Sequence, residues 1–184
     1  MGFLDALTGR RKLKAQAPDR LFAIATANVT IETEVGMKAT GKAAVVFQAL
    51  ATSDFQTIVS DMEEVLRATG DEMGTRIERR DDSFGYRWMI LEDDDFEELI
   101  VGLNAVNSAL RDGGYGDRVL CVVVQYDRAL FIYNVKRGTW YPFVSAGENR
   151  RDNEAELRLR AQLERELPME PELERWFPLW GAPL

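Results

Sequence analysis

The chain has 184 residues, 46% of them hydrophobic and 29% charged, with one cysteine, six prolines and no histidine. At this length a fold buries roughly 70% of its unfolded-chain surface and needs no metal or disulfide staple, while the missing imidazole excludes Ser-His-Asp and Cys-His catalysis and histidine metal ligation. The net charge of −8 divides into +3 over residues 1–20 and −11 over the rest, and so acidic a body repels phosphate, which excludes nucleic acid as a partner.

Residues 1–20 form a basic N-terminal segment, and 21–184 read as a single domain with an aromatic, proline-rich C-terminal tail. Val29, Ile31, Thr33 and Val35 alternate with polar neighbours up to Gly36, which predicts a strand pairing as a hairpin with the apolar run 43–50. Ser53 and Gln56 have capping-box spacing before Phe55, Ile58, Val59, Met62, Val65 and Leu66, a helical face that Gly70 is expected to end. Ile77 and the Phe84, Tyr86, Trp88, Ile90 alternation flank Asp81-Asp82-Ser83 as a second hairpin.

A helix follows the acidic run 92–95, with Phe96, Leu99, Ile100, Leu103, Val106 and Leu110 on one face and Gly113-Gly114 at its end. Runs 119–126 and 129–135 predict a third hairpin about Asp127-Arg128, the first run central because both its faces are apolar. A last helix carries Ala155, Leu159, Leu163 and Leu167, with Asn153 and Glu156 as its cap. The result is an α+β fold with a largely antiparallel sheet, built from three ββα-like units with helices packed on one face.

Each charged or aromatic cluster has two readings. Phe3, Leu4 and Leu7 followed by Arg10, Arg11 and Lys12 suit an anionic membrane surface. The marginal stability of short helices favours a terminal turn docked on the body or on a partner. Myristoylation is not supported, since Ala6 stands where Ser or Thr is needed. The run 92–95 lacks the spacing of a calcium loop and suits a helix start, so no metal and no cofactor are expected.

Lys136, Arg137 and Thr139, with Tyr141 and with Arg150, Arg151 and Asp152, offer a candidate site for an anion, ligand or partner. A strand end with solvated charges accounts for the same residues, because the glycine spacing of a phosphate loop is missing. Cys121 lies in an apolar strand and is expected to be inert and reduced. Trp176, Phe177 and Trp180 either dock on the body or meet a partner. No apolar run approaches the roughly 20 residues of a membrane span, and the basic residues follow the apolar start, unlike a signal peptide, so a cytoplasmic protein is expected.

A series of motifs runs along the chain: Met1-Gly2-Phe3-Leu4-Asp5 with Gly9-Arg10, Ser83-Phe84-Gly85-Tyr86-x-Trp88, Leu103-x-Ala105-Val106-Asn107, Gly114-Tyr115-Gly116 and Leu120-Cys121. It continues through Lys136-Arg137-Gly138-Thr139-x-Tyr141-Pro142-Phe143, Arg151-Asp152-Asn153 and Trp176-Phe177-Pro178-x-Trp180-Gly181-Ala182-Pro183. In this combination the chain resembles the PspA-associated proteins of the PspAB type. Trp140 stands where phenylalanine is as readily expected.

The resemblance implies a non-enzymatic accessory or regulatory protein of PspA, the coiled-coil effector of the phage shock envelope-stress response that binds membranes. Such a protein would act by contact with PspA or other proteins of its operon. Its place would be the cytoplasm, and the N-terminal residues leave open a peripheral contact to the inner face of the membrane through residues 1–14. The alternative function is a small-molecule or anion-binding domain, or an enzyme, using the Lys136-Arg137-Gly138-Thr139 segment. The ββα layout is also similar to the type III secretion chaperone and YbjN-like fold, whose members bind protein segments.

Overall fold

A computed structural model describes residues 19–184. Helix α1 (Asp19–Thr30) continues as a π-helical turn, Ile31–Val35, and stops at Gly36, whose φ of 71° lets its N–H reach back to the Ile31 carbonyl. The strand expected over 29–35, and its hairpin with the following run, do not form. Leu21, Ile24, Ala27 and Ile31 are the buried positions, spaced by three or four, whereas Val29 is 65% exposed. The alternation of β-branched residues is the surface of a helix whose buried stripe has a helical period.

One strand, β1 (Ala39–Gln48), precedes α2 (Ser53–Met73). The second helix passes Gly70 and is followed by Gly74, with φ of 90°. Strands β2 (Arg76–Asp81) and β3 (Tyr86–Glu92) form the expected hairpin. Asp82 holds its turn, Oδ1 accepting from the backbone N–H groups of Phe84 and Tyr86 at 2.9 Å each, and Oδ2 from Trp88 Nε1 at 3.0 Å.

The acidic run is structural. Asp95 caps α3 (Phe96–Asp112) by accepting from the N–H groups of Glu97 and Glu98, and buried Asp93 accepts from the Asp95 N–H and from the Thr75 hydroxyl. Gly41 approaches this corner so closely that a Cβ there would lie 2.7 Å from the Asp93 carbonyl oxygen.

Strands β4 (Val119–Tyr126), β5 (Leu130–Asn134) and β6 (Thr139–Phe143) follow, then α4 (Asn153–Leu163). β6, which carries Pro142, is a strand that the sequence reading does not include. It lies at the sheet edge, where a missing N–H is tolerated. The α4 cap is Asp152, whose carboxylate accepts from the Ala155 N–H at 2.9 Å, rather than Asn153. Glu156 turns inward and is buried instead of closing a capping box.

The six strands run β2-β3-β1-β4-β5-β6, every pair antiparallel, with β4 central as expected. The three successive units contain one, two and three strands rather than two each. Alternation across the pleat divides the core in two. Val45, Phe47, Met89, Leu91, Val122, Val124 and Phe131 pack with the buried residues of all four helices. On the opposite, outer face Ala44, Val46, Trp88, Ile90, Val123, Ile132, Tyr141 and Phe143 are met by residues from Trp176 onwards.

Candidate functional site: a strapped outer face

The chain beyond α4 is fixed to the β6 edge by backbone bonds, Trp140 N–H to the Pro168 carbonyl at 2.9 Å and Glu170 N–H to the Trp140 carbonyl at 2.8 Å. The Glu170 side chain, 0% exposed, then acts as an anchor. Its Oε2 accepts from Arg137 Nε at 2.6 Å and Thr139 Oγ1 at 2.7 Å, and its Oε1 accepts from Arg137 Nη2 at 3.1 Å and the Glu172 N–H at 3.2 Å. Burial alone would raise this carboxyl, but the donors outweigh it and hold the group below the usual carboxylate range. Arg137 also reaches Glu172 at 2.9 Å.

A second clamp lies a few residues along. Arg151 faces Glu156 through Nε to Oε1 at 3.0 Å and Nη2 to Oε2 at 2.8 Å, and its Nη1 donates to the Trp176 carbonyl. Glu156 also accepts from the Val144 N–H at 2.9 Å, so the buried carboxylate joins β6, α4 and the tail. The Arg151 guanidinium lies 5.5 Å from the centre of the Phe143 ring.

From these clamps the tail crosses the sheet. Trp176 stacks on Tyr141 with ring centres 6.0 Å apart, and its Nε1 donates to the Glu170 carbonyl at 3.1 Å. The Tyr141 hydroxyl donates to the Phe177 carbonyl at 3.2 Å, Trp180 meets Phe143 edge-on at 4.9 Å, and Arg80 of β2 donates to the Pro183 carbonyl at 3.2 Å. Residues 176–184 therefore form a strap from the β6 edge to the β2 edge.

Between strap and sheet lies a cleft of about 910 Å³, a volume in the range of ligand and peptide sites. Val46, Trp88, Leu120, Cys121 and Tyr141 line it from the sheet, and Phe177, Leu179 and Trp180 from the strap. Phe84 on the β2–β3 turn and Phe177 on the strap, 80% and 63% exposed, stand at it with their rings in solvent. Burial pushes the Cys121 thiol up to about 12, so at neutral pH it is a protonated, poor nucleophile.

The candidate residues are thus dispersed over different tasks. Arg137 and Thr139 hold Glu170, Tyr141 holds the strap backbone, Arg151 holds Glu156 and Trp176, and Asp152 caps α4. Arg150 is exposed and donates to the Ala146 carbonyl. Lys136 lines the cleft and, among the described residues, makes no ion pair or hydrogen bond.

Trp176 is buried, Phe177 projects into solvent and Trp180 is half-buried. Phe3, Leu4, Leu7, Arg10, Arg11 and Lys12 lie outside the described residues. Sequence reasoning gave Glu156 only a capping role and did not single out Glu170, because a glutamate carries no local sign that it will be buried against an arginine distant in sequence.

Among the described residues no group of three or more Cys, Asp or Glu side chains is placed to hold a metal ion, and no helix is long and apolar enough to cross a membrane. Comparison with curated proteins and with solved structures finds no match, so the fold class rests on the observed strand order, and the secretion-chaperone layout has no solved neighbour behind it. Comparison with family models does find one: residues 1–184 match PspAB, PspA associated protein B, and the chain belongs to that family.

Proposed function

We propose that the chain is a non-enzymatic accessory protein of PspA in the phage shock envelope-stress response, acting in the cytoplasm by contact through its strapped outer face. The observation that carries this reading is the pair of solvent-exposed rings, Phe84 and Phe177, beside an apolar cleft, since exposed apolar surface of this kind marks protein contact sites. The chemistry around the cleft points the same way. Asp82, Tyr141 and Arg80 are committed to internal hydrogen bonds, and no activated nucleophile stands among the described lining residues. Membership of a family described as PspA associated supports PspA as the partner.

Titrating purified PspA with the wild-type chain and with the double variant Phe84→Ala, Phe177→Ala tests this. The variant is expected to keep its melting temperature and bind at least tenfold more weakly. Unchanged affinity removes the face from the contact, and no affinity for PspA or its operon partners with either protein removes the reading.

The Lys136 ammonium at the cleft, which has no partner among the described residues, favours a second reading, a small anionic amphiphile. Loss of ligand-induced stabilisation in Lys136→Ala would separate the two. Peripheral membrane contact through residues 1–14 is tested by co-sedimenting vesicles of anionic lipid with the full chain and with a chain lacking those residues; equal binding by both rules it out.

A further inference from the structure

The two edges of the sheet differ. At β6 the chain beyond α4 bonds to both backbone groups of Trp140, whereas β2 is the last strand at the opposite edge. The direction of its backbone groups is fixed by two bonds. Asp93 N–H reaches the Gly41 carbonyl and Asp82 N–H the Tyr86 carbonyl, each at 2.9 Å, so β3 turns its odd-numbered groups to β1 and its even-numbered ones to β2. In the register that sets Arg76 opposite Glu92, the groups of Arg76, Glu78 and Arg80 therefore face β3. Those of Ile77, Arg79 and Asp81 face outward, and no described residue bonds to them.

Such an edge accepts another strand, and charged side chains ordinarily prevent it. On β2 the charges discriminate instead. Antiparallel pairing sets outward residues opposite outward ones, so two copies related by a two-fold axis can pair five of the six strand residues about Glu78 or about Arg79. Pairing about Glu78 opposes Glu78 to Glu78 and Arg76 to Arg80. Pairing about Arg79 opposes Glu78 of each copy to Arg80 of the other, and Ile77 to Asp81. Arg79 then meets its counterpart on the axis, but each guanidinium is held by Glu63 at 3.1 Å, and Asp81 keeps Arg87 at 2.6 Å.

We propose that β2 pairs antiparallel with β2 of a second copy, centred on Arg79, and joins the two sheets into one. Opposed side chains share a face of a sheet, so both strapped clefts open on the same side. A partner with two contact sites is then held by both. The inference goes beyond the PspA reading and does not rest on it, since both strands belong to copies of this chain.

Sedimentation of the full-length protein at a series of concentrations is the test, and wild type is expected to form a concentration-dependent dimer. Arg79→Pro deletes an outward N–H that β3 does not use. It should weaken the dimer at least tenfold and leave the melting temperature of the dilute monomer unchanged, whereas Arg79→Ala, which keeps the N–H, should not weaken it. Glu78→Arg or Arg80→Glu alone turns both cross-strand charge pairs repulsive and should weaken the dimer roughly tenfold. An equal mixture of these two variants should pair as tightly as wild type, because each charge then meets its opposite. A wild type that stays monomeric at about millimolar concentration overturns the proposal. So does a dimer that Arg79→Pro leaves intact, or a mixture that associates no better than its components.

Discussion

The two faces of the sheet are closed by opposite means. On one, four helices bring broad apolar stripes, and Leu99, Ile100, Leu103, Val106 and Leu110 of α3 all lie fully buried. On the other, nine residues without regular structure suffice, because two arginines fix their approach and two indole rings grip the sheet. Area holds the first face. Directed polar contacts hold the second, and these concentrate the dependence on a few residues. A helix-covered face should fail with the whole fold, whereas a strap can lift while the sheet stays intact.

Substitutions sharpen that difference. Leu103→Ala empties part of the helical core and should cost about 2–5 kcal/mol, read as a cooperative fall in melting temperature with all probes moving together. Glu170→Gln should cost ~2–4 kcal/mol, below the range for breaking a wholly buried ion pair because Arg137 is partly solvated. The loss should appear as faster hydrogen exchange in the 168–184 segment and a changed Trp176 emission, with α3 unaffected. If α3 loosens equally, the two faces are one cooperative unit.

Gly41→Ala combines a left-handed φ of 76° with a contact 2.7 Å from a backbone carbonyl. It should cost about 1–3 kcal/mol, and denaturant unfolding measures it.

Acid supplies a test without mutation. The Glu170 carboxyl is held below its ordinary range, so its share of stability is complete above the unfolded-state value of about 4.3 and is lost as pH falls through the lower folded-state value. Asp82 is shifted down as well: burial would raise it, but hydrogen bonds from Trp88, Tyr86 and Phe84 prevail. Both walls of the cleft should therefore loosen together below the ordinary carboxylate range, while Glu170→Gln flattens the strap's part of the profile. Lys136→Ala, on an exposed side chain with no partner among the described residues, should change stability by less than about 0.5 kcal/mol and serves as the control.

What could be read from sequence follows the range of the forces involved. The β2–β3 hairpin, the α3 start after the acidic run 92–95 and the central place of β4 are set by turn chemistry, charge at a helix start and two-sided apolarity within a short window, and all three appear in the structure. Residues 29–35 were misread because four alternating β-branched residues satisfy a strand template, while the helical spacing runs back through Ile24 and Leu21.

The strap was legible only as two alternatives, docked or partner-binding. Deciding between them needed Arg137 to meet a glutamate thirty-three residues away, and Arg151 to meet Glu156 and the Trp176 carbonyl together. No periodicity records such pairings.

The strap also sets an order in time. Synthesis makes the helices and the sheet before the strap. Until the strap docks, Trp88, Ile132, Tyr141 and Phe143 lack their cover. A chain cut short before Trp176 would stay bare on one side of the sheet for its whole lifetime, a natural substrate for chaperones and proteases, so residues 176–184 decide whether the rest is a protein the cell retains.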